Sequence, residues 1–136
     1  MSVHHARNGA ISIAHEDLGG AGGEPLLLVM GLGVSRFWWP TGLVEALVER
    51  GFHVVAYDQR DAGQSTHLDD EPGWHPLSTL LRRRPAVYSA EDMVDDGIAV
   101  LDALGWRSAY LFGHSMGGLL AQRLALRHPD RVRGIV

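Results

Sequence analysis

The sequence predicts an α/β protein built on a mostly parallel sheet with helices on both faces. Three observations carry that expectation. Short continuous apolar runs recur at Leu26 to Val29, Phe52 to Tyr57 and Trp106 to Phe112, the pattern of strands buried on both faces. Helix-period segments stand between them from residue 25 onward, and that alternation gives parallel strands joined by crossovers. A Gly113-His114-Ser115-Met116-Gly117 turn then separates the last of these strands from an apolar helix.

Along the chain, Ile11 and Ile13 alternate with polar or small residues from Ala10 to His15, as a half-exposed strand would. The glycine-rich run from Gly19 to Gly23 is a turn, and Leu26 to Met30 is the first buried strand. A helix is expected from Thr41, which can cap it, to Arg50; Leu43, Val44 and Leu47 share a face and Gly51 ends it. After the strand at Phe52 to Tyr57, residues 58–88 contain Pro72, Pro76 and Pro85 and read as a long surface connection. Ser89-Ala90-Glu91-Asp92 has the spacing of a capping box. The helix it opens places Met93, Gly97, Leu101 and Leu104 along one face and stops at Gly105. Met116 to Arg127 is apolar on nearly all sides, which predicts a well-buried helix ending before Pro129. Arg131 to Val136 begins a further strand, and residues 1–136 form one domain without internal repeats.

Composition narrows the function classes. The 136 residues, 46% of them apolar, suffice for one domain with a core. A net charge of −4 and no basic cluster longer than Arg82-Arg83-Arg84 argue against nucleic acid as a partner. The absence of cysteine excludes disulfides, thiolate metal sites and a cysteine nucleophile. His4-His5 reads as a mobile terminus and His67 and His75 as loop residues; no histidines have metal-ligand spacing, so neither metal nor cofactor is expected. Met1 to Arg7 has no apolar signal-peptide core behind it, and Pro25 to Met30 is too short to span a bilayer. The expected location is cytoplasmic, with no membrane partner.

The Gly-x-Ser-x-Gly run points to nucleophilic chemistry. A serine hydroxyl must be presented, deprotonated by a neighbour, and have its oxyanion product stabilised. A sharp turn from strand to helix would present Ser115, and such a turn needs small residues two before and two after it, as Gly113 and Gly117 are. The Met116 backbone N–H would face the developing oxyanion at the positive end of the following helix. A second donor is expected at Leu32, flanked by Gly31 and Gly33 in the loop after an earlier strand. Phe37 and Trp38 follow that loop and either wall an acyl pocket or belong, with Trp39, to the core. Asp58 precedes the nucleophile and reads as a loop-fixing carboxylate, and His114, pointing away across the turn, as a residue that packs there or supports the residues around the serine. His128 lies 13 positions beyond Ser115, roughly 20 Å along a helix, and is not its base.

These motifs resemble the N-terminal half of the α/β-hydrolase superfamily, from about Ile11 to Val136. Asp58-Gln59-Arg60-Asp61-Ala62-Gly63-Gln64-Ser65 matches that family's Asp-x-Arg-Gly-x-Gly-x-Ser except at Asp61, and Met30-Gly31 stands where members often carry His-Gly. The pair of departures resembles the branch containing anthracycline methylesterases and related small-ester hydrolases. The resemblance implies a serine hydrolase acting on a small carboxylic ester through an acyl-enzyme. In this fold the acid and histidine follow the nucleophile, and only 21 residues follow Ser115. The expectation is therefore a partial domain lacking the C-terminal strands, the catalytic acid and the histidine. Its raw edge at Gly134-Ile135-Val136 would make it poorly soluble, loosely folded, or dependent on another chain completing the sheet. Two other readings stand beside it: an inactive fragment or binding module of this fold, and a dinucleotide-binding domain suggested by Gly31-Leu32-Gly33 followed by Asp58.

Overall fold

The computed structural model describes residues 2–68 and 88–136. The basic triplet Arg82-Arg83-Arg84, His75 and most of the expected connection lie outside the described residues. The elements, in chain order, are strands β1 (Val3–Asn8), β2 (Ile11–Gly19) and β3 (Glu24–Val29), helix α1 (Thr41–Glu49) and strand β4 (Phe52–Tyr57). Helix α2 (Ala90–Ala103), strand β5 (Ala109–Gly113), helix α3 (Met116–Arg127) and strand β6 (Val132–Ile135) follow. The six strands form one sheet in the order β1-β2-β4-β3-β5-β6. β3 pairs in parallel with both β4 and β5, and β5 with β6, while β2 joins β1 and β4 in antiparallel fashion. The sheet is thus the mostly parallel one expected.

Each face of the sheet has its own core. Leu27, Val29, Val55, Tyr57 and Leu111 meet α2 and α3 through Val94, Leu101, Leu120 and Leu124. On the other face Leu26, Leu28, Val54 and Ala56 pack on Trp39 and on Leu43, Val44 and Leu47 of α1. Adjacent strand residues therefore feed opposite cores, which is why β3 and β4 read as unbroken apolar runs.

Four details differ from the sequence reading. Val3–Asn8 is a strand rather than a mobile terminus; Ala6 is its one buried residue, so it carries almost no apolar signature. Thr41 does not cap α1: the N-cap residue is Pro40 and no side chain bonds there. α3 buries only Gly117, Leu120, Ala121 and Leu124, and leaves Leu119 and Leu126 exposed. β5 starts at Ala109 rather than Trp106. The capping box of α2 forms as read, with Ser89 accepting from the Asp92 N–H and the Asp92 carboxylate accepting from the Ser89 N–H.

Candidate active site

Ser115 is the N-cap residue of α3, held at φ 57° and ψ −124° between the end of β5 and the first helical turn. Among the described residues only Ser115 and Asp61 have positive φ without being glycine. A Cβ in this region is strained, so the surrounding packing must impose the conformation. It does so through glycines. A Cβ on Gly117 would lie 1.9 Å from the Val29 carbonyl oxygen, and one on Gly113 would lie 2.6 Å from backbone atoms of Gly117 and Gly118. The turn is further pinned by His114 N–H donating to the Val29 carbonyl at 3.0 Å and by Gly117 N–H donating to the His114 carbonyl at 2.9 Å. Ser115 itself is exposed.

The loop after β3 comes directly against this turn because Val29 and Gly113 are register partners on neighbouring strands. A Cβ on Gly31 would lie 3.2 Å from the Ser115 Cβ and 3.7 Å from its Oγ. Leu32, the next residue, is partly exposed. Met116 opens α3, where N–H groups have no partner within the helix and the helix dipole is positive. The structure therefore brings together Ser115, Met116 and the Gly31-Leu32 segment.

The loop from Met30 to Trp39 is fixed by residues that follow β4. Asp58, fully buried, accepts from the Arg36 N–H at 2.7 Å and the Gln64 N–H at 2.9 Å, and pairs with the Arg36 guanidinium. Arg36 also donates to Glu16 at 2.9 Å and to Gln64 at 2.7 Å. Gly63 stands against the Asp58 carboxylate, where a Cβ would be 2.2 Å from Oδ2. Asp58 thus has the loop-fixing place read from the sequence. Arg36, buried beneath the loop, was missed, since nothing local distinguishes it from a surface arginine. Asp61 takes φ 65° at the position where the family motif has glycine, and its carboxylate accepts from the Leu68 N–H.

A second buried pair braces the far side of this loop. Arg60 donates twice to Asp96 of α2, at 2.6 and 2.8 Å, and Asn8 of β1 donates to the same carboxylate at 2.9 Å. The bond to Asp96 and its negative charge keep the Arg60 pKa above its ordinary value, although burial, the largest single influence, works against the charge.

Phe37 and Trp38 are exposed on a single 3-10 turn, Arg36–Trp38, and the Phe37 ring covers the Arg36 guanidinium at 4.3 Å. Phe37 lines a cavity of about 470 Å³ with Arg36, Trp39 and Val44. Trp39 is core, meeting the Phe112 ring edge-on at 5.6 Å and the His114 ring at 6.5 Å. His114 therefore packs on Trp39 rather than serving the serine. His128 caps the opposite end of α3 from Ser115. Among the described residues no side chain hydrogen-bonds to the Ser115 hydroxyl, and no group of three His, Cys, Asp or Glu is placed to hold a metal ion. The glycines of Gly31-Leu32-Gly33 do not open a helix, because a 3-10 turn and Pro40 intervene before α1, so the dinucleotide-binding geometry does not form.

The α/β hydrolase fold family matches residues 24–136. The chain belongs to the α/β-hydrolase fold family. Rhodomycin D methylesterase DnrP of Streptomyces peucetius is 35% identical over 132 residues, which cover 97% of this chain and 40% of that protein. A Variovorax paradoxus protein provisionally named as the carbamate hydrolase RutD is 38% identical over 122 residues, covering 90% of this chain and 40% of its own length. Among solved structures, a hydrolase from Pseudomonas aeruginosa superimposes with a TM-score of 0.79 at 28% identity, covering 98% of this chain and 44% of that one. The chain thus spans about 40% of the length of the curated relatives it matches. Its relatives are hydrolases. Among the described residues no helix is long and apolar enough to cross a membrane.

Proposed function

We propose that this hydrolase cleaves small carboxylic esters through an acyl-enzyme on Ser115. The observation that carries the reading is the strained backbone of Ser115, held by glycines that admit no side chain. In the proposed reaction Ser115 Oγ attacks the ester carbonyl carbon and gives its proton to a general base. The oxyanion is held by the N–H groups of Leu32 and Met116, and the bond to the alcohol oxygen breaks as the base returns the proton to it. Water then adds to the acyl carbon by the same route and frees the acid and the serine. Exposed Phe37 and Trp38 are assigned to the substrate's approach.

No described histidine serves Ser115, so the proposal gives this chain the nucleophile and both oxyanion donors and places the base outside the described residues. The methylesterase relative supports an ester as substrate, and the relative named for carbamates supports the same acyl chemistry on a different leaving group.

The test is covalent labelling with a fluorophosphonate probe, using the protein at the full length in which cells make it. One probe per chain on Ser115, lost in Ser115→Ala, is expected, along with faster turnover of a methyl ester than of the matching carbamate. A folded sample that takes no label at Ser115 overturns the proposal.

A further inference from the structure

The loop carrying Leu32 is gripped at both ends by two consecutive residues. Asp58 takes the Arg36 end. Gln59 takes the other, donating from Nε2 to the Met30 carbonyl at 3.3 Å and to the Tyr57 hydroxyl at 3.4 Å. Gln59 is buried to within 1% of full enclosure. The Met30 carbonyl needs a donor, which fixes which end of the amide faces it. Gln59 Oε1 is then left buried with no partner among the described residues.

Between the two grips lies Gly31, which offers no side chain to restrict rotation of its peptides. A Cβ on Gly117 would come within 2.8 Å of the Met30 carbonyl oxygen, so the backbone of α3 stands close to it. Among the described residues Gln59 is the one side chain that donates to this carbonyl, and it therefore anchors the direction of the Met30-Gly31 peptide. Without that anchor the glycine's φ and ψ are free to drift, and a Leu32 N–H aimed at an oxyanion is then misdirected.

We propose that Gln59 is a positioning residue: its amide holds the Met30 carbonyl and so sets the orientation of the Leu32 N–H beside Ser115. The inference rests on the assignment of Leu32 as an oxyanion donor. Gln59 touches neither substrate nor the reacting atoms. A side chain present only to fill space would serve better as methionine, which has similar volume and no unpaired oxygen to bury.

That contrast gives the experiment. Gln59→Met should still fold with a Tm close to that of the wild type, because loss of the unpartnered Oε1 offsets part of what is lost when the Met30 carbonyl and the Tyr57 hydroxyl give up their donor. Its rate of Ser115 labelling by the fluorophosphonate, and kcat on a small ester, should fall about tenfold with KM nearly unchanged. That is less than the 10²–10³ lost when an oxyanion donor is deleted outright. Gln59→Glu, which has the shape but no donor at neutral pH, should lose rate to at least the same degree. The amide proton and nitrogen chemical shifts of Gly31 and Leu32 should move in Gln59→Met while those of β3 and β5 stay the same. Wild-type shifts at Gly31 and Leu32 in Gln59→Met overturn the positioning role whether or not Ser115 reacts. Absence of labelling in the wild type counts against the ester-hydrolase reading and leaves the shifts to decide on Gln59. Moved shifts with an unaltered labelling rate show that Gln59 holds the loop but that Leu32 is no donor, and overturn the proposal.

Discussion

Gly117 lies so close over Val29 that a methyl group on its α-carbon would meet the Val29 carbonyl oxygen at 1.9 Å. The obstacle is backbone belonging to the central strand, so it cannot yield as a flexible side chain would. Gly117→Ala should therefore destabilise the protein by about 3 kcal/mol and abolish labelling of Ser115. Gly118→Ala is the matched control, because a Cβ there meets only the Gly113 carbonyl at an ordinary 3.7 Å. On helix propensity alone it should be neutral or stabilising by up to about 1 kcal/mol. Paired thermal melts read both outcomes.

Ser115 stores strain that glycine would release. Ser115→Gly should raise stability by about 1 kcal/mol while ending all covalent labelling. Ser115→Ala keeps a Cβ at φ 57° and should bring no comparable gain. Urea midpoints of the two variants measure the difference.

The pair formed by Asp58 and Arg36 is buried on both sides, with 0% and 2% of the side chains exposed. Removing one charge leaves the other enclosed, so Asp58→Asn should cost about 3 kcal/mol. It also weakens the acceptor for the Arg36 and Gln64 N–H groups, so the Met30–Arg36 loop should become sensitive to proteolysis before the sheet does. Limited digestion followed by mass mapping checks this.

His15 provides a pH dependence. Burial first, and then the neighbouring His4 and His5, hold its pKa below the ordinary 6.5. The folded state thus resists a proton that the unfolded chain accepts near pH 6.5. Stability is full above that value and is lost as the pH falls from about 6.5 toward the depressed folded pKa. Asp17 and Asp92, whose pKa values are lowered from 3.8, act only at lower pH. Tm should therefore drop between about pH 7 and pH 5.5, and His15→Gln should flatten that slope.

The elements that could be read from the sequence are those whose signals are local. Leu26 to Val29 and Val54 to Tyr57 face both cores and so are apolar at every position. Ser89 and Asp92 satisfy each other's backbone within one turn, and Gly113 and Gly117 flank the serine they accommodate. What escaped notice is long-range. β1 is a strand because β2 pairs with all six of its residues, while its own sequence buries only Ala6. Arg36 and Gln59 gain their meaning from partners 22 and 29 residues away, distances at which no motif is visible. Leu119 and Leu126 show the converse limit: an apolar residue in a helix reports affinity for a cover, not which side the sheet will be on.

The register of Val29 with Gly113 sets how the site responds to heat. The two loops that meet at Ser115 leave adjacent strands at the same rung of the hydrogen-bond ladder, so their separation is fixed by the roughly 4.8 Å spacing between strands. That spacing changes only when the ladder breaks. Warming can agitate α1 and α2 without altering the gap between Ser115 and the Gly31-Leu32 segment. The surroundings of Ser115 should thus persist intact up to the cooperative collapse of the sheet, and the temperature at which labelling of Ser115 fails should coincide with loss of β-structure.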